Sequence, residues 1–457
     1  MSSESQAPAQ ASLNTPQMRR ILSSAFLGSV IEFYDFSLFS IAAALVFKSV
    51  YFAGLSPTLA TFSAFATLAT GYLARPLGGV IFGHFGDRLG RKKMLVLSML
   101  MMGAGTVGIG LLPGVAQIGA AAPVLLLLLR ILQGIAVGGE WGGAATLALE
   151  HAPGGRRGLA ATFASSGAPA GALLATLVTS LFTMLPREQF LAWGWRVPFL
   201  LSFVLVIVGL WVRASVSESP IFVAASKKAE ERRLPIAQVL TQHPKMVIVG
   251  ILVATAQFTV SGLMAVWAVS RSVDAGANQT HVLNLKATSA VMLLVVCFVA
   301  AILSDRFGRK LIMGIGMVGM AVAAYPVLLL VESGTATGFG VAIMLSQFMQ
   351  GLMFGPLAGY LSELFPTKVR FTGASLTYQG GSTLGAGFSP AIATAVIAAG
   401  GVAALSGLWV GVLAICLLAM IVASPRGRDK VDLEAIDDSA EGEPAVPSAE
   451  PKQPTVN

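Results

Sequence analysis

The stretch Gly83-His84-Phe85-Gly86-Asp87-Arg88-Leu89-Gly90-Arg91-Lys92 returns later in the chain as Ser304-Asp305-Arg306-Phe307-Gly308-Arg309-Lys310. Each copy follows a long apolar run. A second signature is duplicated too: Glu150-His151-Ala152-Pro153 precedes Arg157, and Glu363-Leu364-Phe365-Pro366 precedes Arg370. In both, the proline lies three residues after the glutamate and the arginine four after the proline. Two signatures that recur in the same order mark a duplicated unit. Internal repeats of apolar helices are characteristic of secondary transporters, whose solute site lies near midplane at the repeat interface.

The unit being duplicated is a set of membrane helices. Of 457 residues, 55% are hydrophobic and only 11% are charged, where a soluble domain carries about 25% charged residues. The runs Ile21 to Phe47, Leu59 to Gly83 and Pro123 to Leu149 each exceed the roughly 20 residues a helix needs to cross a hydrocarbon core. The pattern predicts twelve spans: 21–47, 59–83, 94–112, 123–150, 158–184, 191–213, 246–270, 283–304, 311–331, 337–362, 371–397 and 401–423. The expected fold is all-α and integral to the membrane, with two six-helix bundles at 21–213 and 246–423. Residues 1–20 form an N-terminal cytoplasmic segment, 214–245 a charged cytoplasmic linker, and 424–457 an acidic, Pro-rich tail with too few apolar residues to fold alone. The first run is too long for a secretory signal and has no small-residue cleavage site after it, so it reads as the first span.

The net charge of +8 reflects topology rather than a nucleic-acid partner. Basic residues gather at Arg19 and Arg20, Arg88 to Lys93, Arg156 and Arg157, Lys227 to Lys245, Arg306 to Lys310, Lys368 and Arg370, and from Arg426 onward. Only Lys48, Arg187, Arg196, Arg271 and Lys286 fall on the other side. This asymmetry follows the positive-inside rule and places both termini in the cytoplasm with an even number of spans. No basic surface is left over for nucleic acid.

Other classes find no support. There is no phosphate-cradling G-x-x-x-x-G-K-[ST] loop for a pump driven by its own ATP site. The four histidines and two cysteines have no metal-ligand spacing. Cys297 and Cys416 lie in different apolar runs and read as buried thiols. No nucleophile–base constellation suggests an enzyme, and no cofactor is expected.

The loop Gly83 to Lys92 resembles the loop 2–3 signature of the major facilitator superfamily, G-x-x-x-D-R-x-G-R-R/K, and its weaker second copy departs at Ala301, where the signature has glycine. Further stretches resemble one subgroup, the bacterial metabolite–proton symporters, which includes carriers of proline/betaine, citrate, shikimate and α-ketoglutarate. They are Ile31-Glu32-Phe33-Tyr34-Asp35-Phe36, the histidine-bearing loop itself, and Arg130-Ile131-Leu132-Gln133 running on to Gly139-Glu140-Trp141. Trp193-Gly194-Trp195-Arg196-Val197-Pro198-Phe199 and Glu218-Ser219-Pro220 complete the set. The resemblance implies a twelve-helix carrier of the inner (plasma) membrane that works by alternating access. Because subgroup members share these stretches and carry different solutes, the solute stays open.

An ionised side chain at membrane depth costs roughly 2.5–3.5 kcal/mol on insertion scales, so each one asks for a reason. Glu32 and Asp35 are three residues apart and share a helix face. Asp35 and Arg130 reach comparable levels in the outer half, since a helix rises ~1.5 Å per residue. The expectation is a carboxylate–guanidinium pair that proton binding releases, which frees the arginine for an anionic or zwitterionic solute. Similar sugar carriers place an aspartate and an arginine on the same two helices, and the resemblance therefore supports this pair. The competing reading is a permanent bridge that fixes packing.

Glu140, among four glycines at 138–143, is either a cavity residue and second proton site or a partner for Arg75. Trp141 and Gln133 are candidate solute contacts, with plain packing as the alternative for the tryptophan. In the second half the candidates are Gln257, Gln347, Gln350, Tyr378 and Gln379, whose amides and hydroxyl can bond a solute without fixing charge; helix-to-helix bonding is the alternative. Glu332 and Glu363 read as solvated helix ends. By resemblance, Asp87, Arg88 and Arg91, with Asp305, Arg306 and Arg309, form charge latches at the inner gate, and His84 is either a pH-sensing group or a loop hydrogen bond.

The function expected is inward, proton-driven symport of a small carboxylate or zwitterion by a monomer, with protons and the lipid bilayer as its partners. An antiporter or exporter is the alternative, and Gly167-Ala168-Pro169-Ala170-Gly171 matches the glycine/proline feature of that class in part.

Overall fold

The computed structural model describes residues 16–79, 81–82, 91–138, 157–214, 235–366 and 369–423. Every regular element among them is helical. Hydrocarbon offers no partner for backbone N–H and C=O groups, so a chain this apolar must satisfy them within each helix. The long helices are α1 (Pro16–Leu45), α2 (Pro57–Leu73), α3 (Arg91–Leu111), α4 (Ala121–Val137), α5 (Arg157–Thr183) and α6 (Arg196–Ala214). In the second half they are α7 (Pro244–Gly262), α8 (Gln279–Phe307), α9 (Arg309–Glu332), α10 (Ala336–Glu363), α11 (Arg370–Ser382) and α12 (Ser389–Ala423).

Eight helices among the described residues are long and apolar enough to cross a membrane, and 96–111 and 121–137 form shorter apolar helices. The side chains that face outward are those of a lipid-bathed surface: Leu177, Leu181, Val295, Val299, Ile302, Ile415 and Leu418 are exposed. The buried polar groups turn inward.

Several interruptions shape the long helices. Wide turns follow α7 at Leu263–Trp267 and α11 at Thr383–Gly387. At Gly401 φ is +67°, which breaks α12 between the stretches predicted as the last two spans. Part of the predicted charged linker is helical, at Pro235–Gln242. Residues 1–15 and the tail from 424 lie outside the described residues.

The two halves meet along several seams. Ser180 Oγ donates to Asn284 Oδ1 at 2.6 Å, and Thr183 and Thr280 share a hydroxyl bond of 3.1 Å, joining α5 to α8. Near this end Lys48, just beyond α1, pairs with Asp274 at the close of the helix that follows α7. Toward the opposite end, Thr162 donates to the Gly355 carbonyl at 3.0 Å. At mid-height Thr383 donates to the Tyr72 carbonyl at 3.3 Å, which ties α2 to the turn after α11. Below, the Lys48 end and the Arg309 end name the two faces of the bundle.

Lys286, which falls inside the predicted span 283–304, lies in the second turn of α8 and is buried at 5% exposure.

Candidate functional site

Asp35 and Arg130 are both fully enclosed, but they do not form a direct ion pair. A chain of hydrogen bonds connects them. Arg130 Nη1 donates to Gln133 Oε1 at 3.2 Å, Gln133 Nε2 donates to Thr106 Oγ1 at 2.8 Å, and Thr106 Oγ1 donates to Asp35 Oδ2 at 2.9 Å. The Thr106 hydroxyl has a second acceptor, the Met102 carbonyl at 3.0 Å; with its one proton on Asp35, all three bonds run from cation to anion and each polarises the next. The expected carboxylate–guanidinium contact is corrected to a relay through α3. Its physical reason is the position of the guanidinium, whose Cζ lies 4.3 Å from the Phe36 ring centroid and 4.0 Å from that of Phe39.

Sequence spacing builds this arrangement. Glu32, Asp35, Phe36 and Phe39 recur at three- and four-residue steps along α1 and share its inner face. Arg130 and Gln133 do the same on α4. Two glycines make room for them. A Cβ at Gly71 would lie 2.3 Å from Arg130 Nε, and one at Gly105 would lie 2.8 Å from Gln133 Cγ.

A second arginine stands against the same ring. Arg75 places its Cζ 4.1 Å from the Phe36 centroid and 4.3 Å from that of Tyr72. Its Nη1 donates to Gln379 Oε1 at 2.9 Å, a bond from the first half to the second. Sequence reasoning weighed Arg75 only as a partner for Glu140. The readable signal was an arginine inside the apolar run from Leu59 to Gly83. Among the described residues, Nε and Nη2 of both Arg75 and Arg130 are buried with no hydrogen-bond partner. Four guanidinium nitrogens thus lie buried beside aromatic rings with no hydrogen-bond acceptor among the described residues.

The second-half candidates also gather in the interior. Gln350 Nε2 donates to Gln257 Oε1 at 3.0 Å, and Gln257 Nε2, Gln350 Oε1 and Gln347 Oε1 are buried without a partner among the described residues. Tyr378 packs edge-on against Phe258, centroids 5.0 Å apart, and lies within electrostatic reach of Arg75, Glu32 and Tyr72. Glu32 is buried one turn from Asp35. Thr106 was missed by sequence reasoning because a single threonine in an apolar helix carries no distinguishing signal.

The gate residues are divided. Arg309 holds Glu363 with two bonds, Nε to Oε2 at 2.7 Å and Nη2 to Oε1 at 2.6 Å, and its Nη1 lies 3.2 Å from Asp305 Oδ1. These three residues join α8, α9 and α10 within the second half, so the described pairs brace one bundle rather than bridge two. Glu363 is therefore not a freely solvated end. Nor is Glu332, whose carboxylate receives Arg271 Nε at 2.7 Å and Nη2 at 2.6 Å. Arg306 stacks over Phe307, 5.4 Å from its centroid. Gly308 makes the turn between α8 and α9 at φ +96°, a conformation that glycine adopts without strain. His84, Asp87, Arg88, Glu140 and Trp141 lie outside the described residues, as does the side chain of Arg91. No group of His, Cys, Asp and Glu among the described residues could hold a metal ion.

Comparison with known proteins places the chain in a family. The family model described as Major Facilitator Superfamily matches residues 25–377 and 246–447. The inner membrane metabolite transport protein YhjE of Escherichia coli is 41% identical over 383 residues, covering 82% of this chain and 87% of that protein. The shikimate transporter of Escherichia coli is 39% identical over 397 residues, covering 85% and 90%. A glycine betaine/proline/ectoine/pipecolic acid transporter of Dickeya dadantii is 32% identical over 389 residues, covering 82% and 77%. The fold matches a partially occluded, inward-open xylose transporter from E. coli with a TM-score of 0.70 at 19% identity, over 90% of this chain and 98% of that one. With its duplicated helices, its paired loop signatures and these relatives, the chain belongs to the Major Facilitator Superfamily.

Proposed function

We propose that this membrane transporter carries a small anionic or zwitterionic metabolite inward together with protons. The observation that carries the reading is the one-directional relay from Arg130 through Gln133 and Thr106 to Asp35. An ionised Asp35 pulls on the Thr106 proton, and the polarisation passes through Gln133 to the guanidinium. A protonated Asp35 has no net charge to pull with, so Arg130 turns its open N–H groups to a solute carboxylate. Arg75 offers a second set of donors across the Phe36 ring. Charge-assisted bonds from guanidinium to carboxylate are roughly twice as strong as neutral ones.

Gln379 answers Arg75 from the second half, and Gln257, Gln347, Gln350 and Tyr378 supply neutral groups for the rest of the solute. A solute that engages Arg75 competes with Gln379 for it, which loosens one tie between the halves and links binding to movement. We further assign twelve spans in two bundles, 21–213 and 246–423, with cytoplasmic termini and the Arg309 end on the cytoplasmic side. The relatives named as shikimate and betaine transporters support the solute class. The structures that match at 19–20% identity support the fold alone.

The test is uptake by proteoliposomes of three radiolabelled probes: shikimate, glycine betaine and succinate. An imposed inward proton gradient drives accumulation of at least one, and a protonophore abolishes it. Accumulation that an outward gradient drives instead would indicate the exchanger or exporter reading. Gly167 and Gly171, which belong to that reading's glycine/proline feature, bring α5 against the α1 backbone; a Cβ at Gly171 would lie 2.4 Å from the Val30 carbonyl oxygen.

A further inference from the structure

Lys286 has no ion pair or side-chain hydrogen bond among the described residues, although only 5% of its surface is exposed. It sits eight residues into α8, roughly 10 Å from the Lys48 end at ~1.5 Å per residue. Arg130, ten residues into α4, reaches a similar depth from the same end. α8 lies at the seam of the two halves, bonded to α5 by Asn284 and Thr280.

A lysine there runs against its surroundings. An ionised group at membrane depth needs a counter-charge. Among the described residues, the carboxylates on the helices packed against α8 are committed elsewhere. Asp274 holds Lys48, Glu332 holds Arg271, and Glu363 and Asp305 hold Arg309. The nearby basic groups Arg271 and Lys48 are consumed in those same pairs.

We propose that Lys286 is an anion-binding group on the second-half wall of the transport path, which meets a carboxylate or phosphate of the solute opposite the arginine site. The inference rests on the transporter reading in one respect: the seam beside α8 must open to water. It assigns the solute class more narrowly, since a solute held by the arginines and Lys286 together carries more than one acceptor group.

The test requires no knowledge of the solute. In the full chain with Cys297→Ala and Cys416→Ala, Ala290→Cys places a thiol one turn from Lys286 on the same face. The thiol is reacted in membrane vesicles with anionic 2-sulfonatoethyl and cationic 2-trimethylammonioethyl methanethiosulfonate, and the ratio of the two rates is taken. Lys286→Gln lowers the anionic-to-cationic ratio at least about fivefold, the size expected for unit charges about 8 Å apart between watery and protein-like dielectrics. Lys286→Arg preserves it. The Gln variant also keeps or raises the melting temperature, because it removes a buried charge without stranding a partner.

A thiol that neither reagent labels, or a ratio unchanged by Lys286→Gln, overturns the proposal. Both outcomes are independent of proton-driven uptake, so they leave the reading of Asp35 and Arg130 to its own test.

Discussion

Replacing Thr106 with valine removes one oxygen and keeps the shape. That oxygen donates to Asp35 Oδ2 at 2.9 Å and accepts from Gln133 Nε2 at 2.8 Å. Without it, the carboxylate and the guanidinium keep their positions but lose their connection. A hydrogen bond to a charged group contributes about 1.5–3 kcal/mol, and this is the free energy available for passing the state of Asp35 to Arg130. As a coupling free energy it corresponds to about tenfold to 150-fold in solute affinity between the protonated and ionised forms. In the valine variant that factor falls toward one. The assay compares half-saturation of uptake, for whichever of shikimate, glycine betaine or succinate the wild type accumulates, with and without an inward proton gradient. The wild type shows a large ratio, Thr106→Val a ratio near one, and Thr106→Ser recovers the wild-type value. A valine variant with undiminished gradient dependence would refute the relay and return the coupling to some other contact.

Gly71→Ala puts a methyl carbon 2.3 Å from Arg130 Nε, too close for both to stay, so the guanidinium leaves the Phe36 face. Cation–aromatic contacts in desolvated sites contribute about 2 kcal/mol; solute affinity should fall at least about tenfold while the folded protein is still recovered by size-exclusion chromatography. Glu363→Gln breaks the two-bond hold on Arg309. Removing one member of a buried pair costs at most about 3–5 kcal/mol, and less here because Asp305 remains at 3.2 Å, so thermal unfolding in detergent should move down clearly. Lys48→Ala removes an ion pair whose aspartate is 40% exposed. Such pairs contribute no more than about 1 kcal/mol, and the melting temperature should barely change while reagent access from the Lys48 end increases.

The fold was largely legible in the sequence because hydrocarbon imposes a simple rule of length and apolarity, and because the loop signatures are duplicated. Asp35, Arg130 and Gln133 stood out for a related reason: polar groups are rare in apolar helices and helical spacing places them on a face. The relay itself was not legible. A threonine such as Thr106 looks the same whether it packs or bridges, and only coordinates show that Arg130 prefers two aromatic rings to a carboxylate. Arg75 was visible as a buried cation, but its bond to Gln379 spans 304 positions in sequence. Glu332 and Glu363 were misread because a helix-end acid reveals nothing of the arginine that a neighbouring helix presents to it. Lys286 was legible as a basic residue inside the predicted span 283–304, but counting it for membrane sidedness said nothing of its burial, which only packing against neighbouring helices decides.

Proton movement on addition of solute tests the coupling most directly. With a pH dye trapped in proteoliposomes, the wild type acidifies the lumen when its solute is added outside. Asp35→Asn should still exchange labelled for unlabelled solute across the bilayer but give no acidification and no accumulation. An asparagine variant that continued to bring in protons with the solute would contradict the role assigned to Asp35 and to the chain of bonds that leads from it to Arg130.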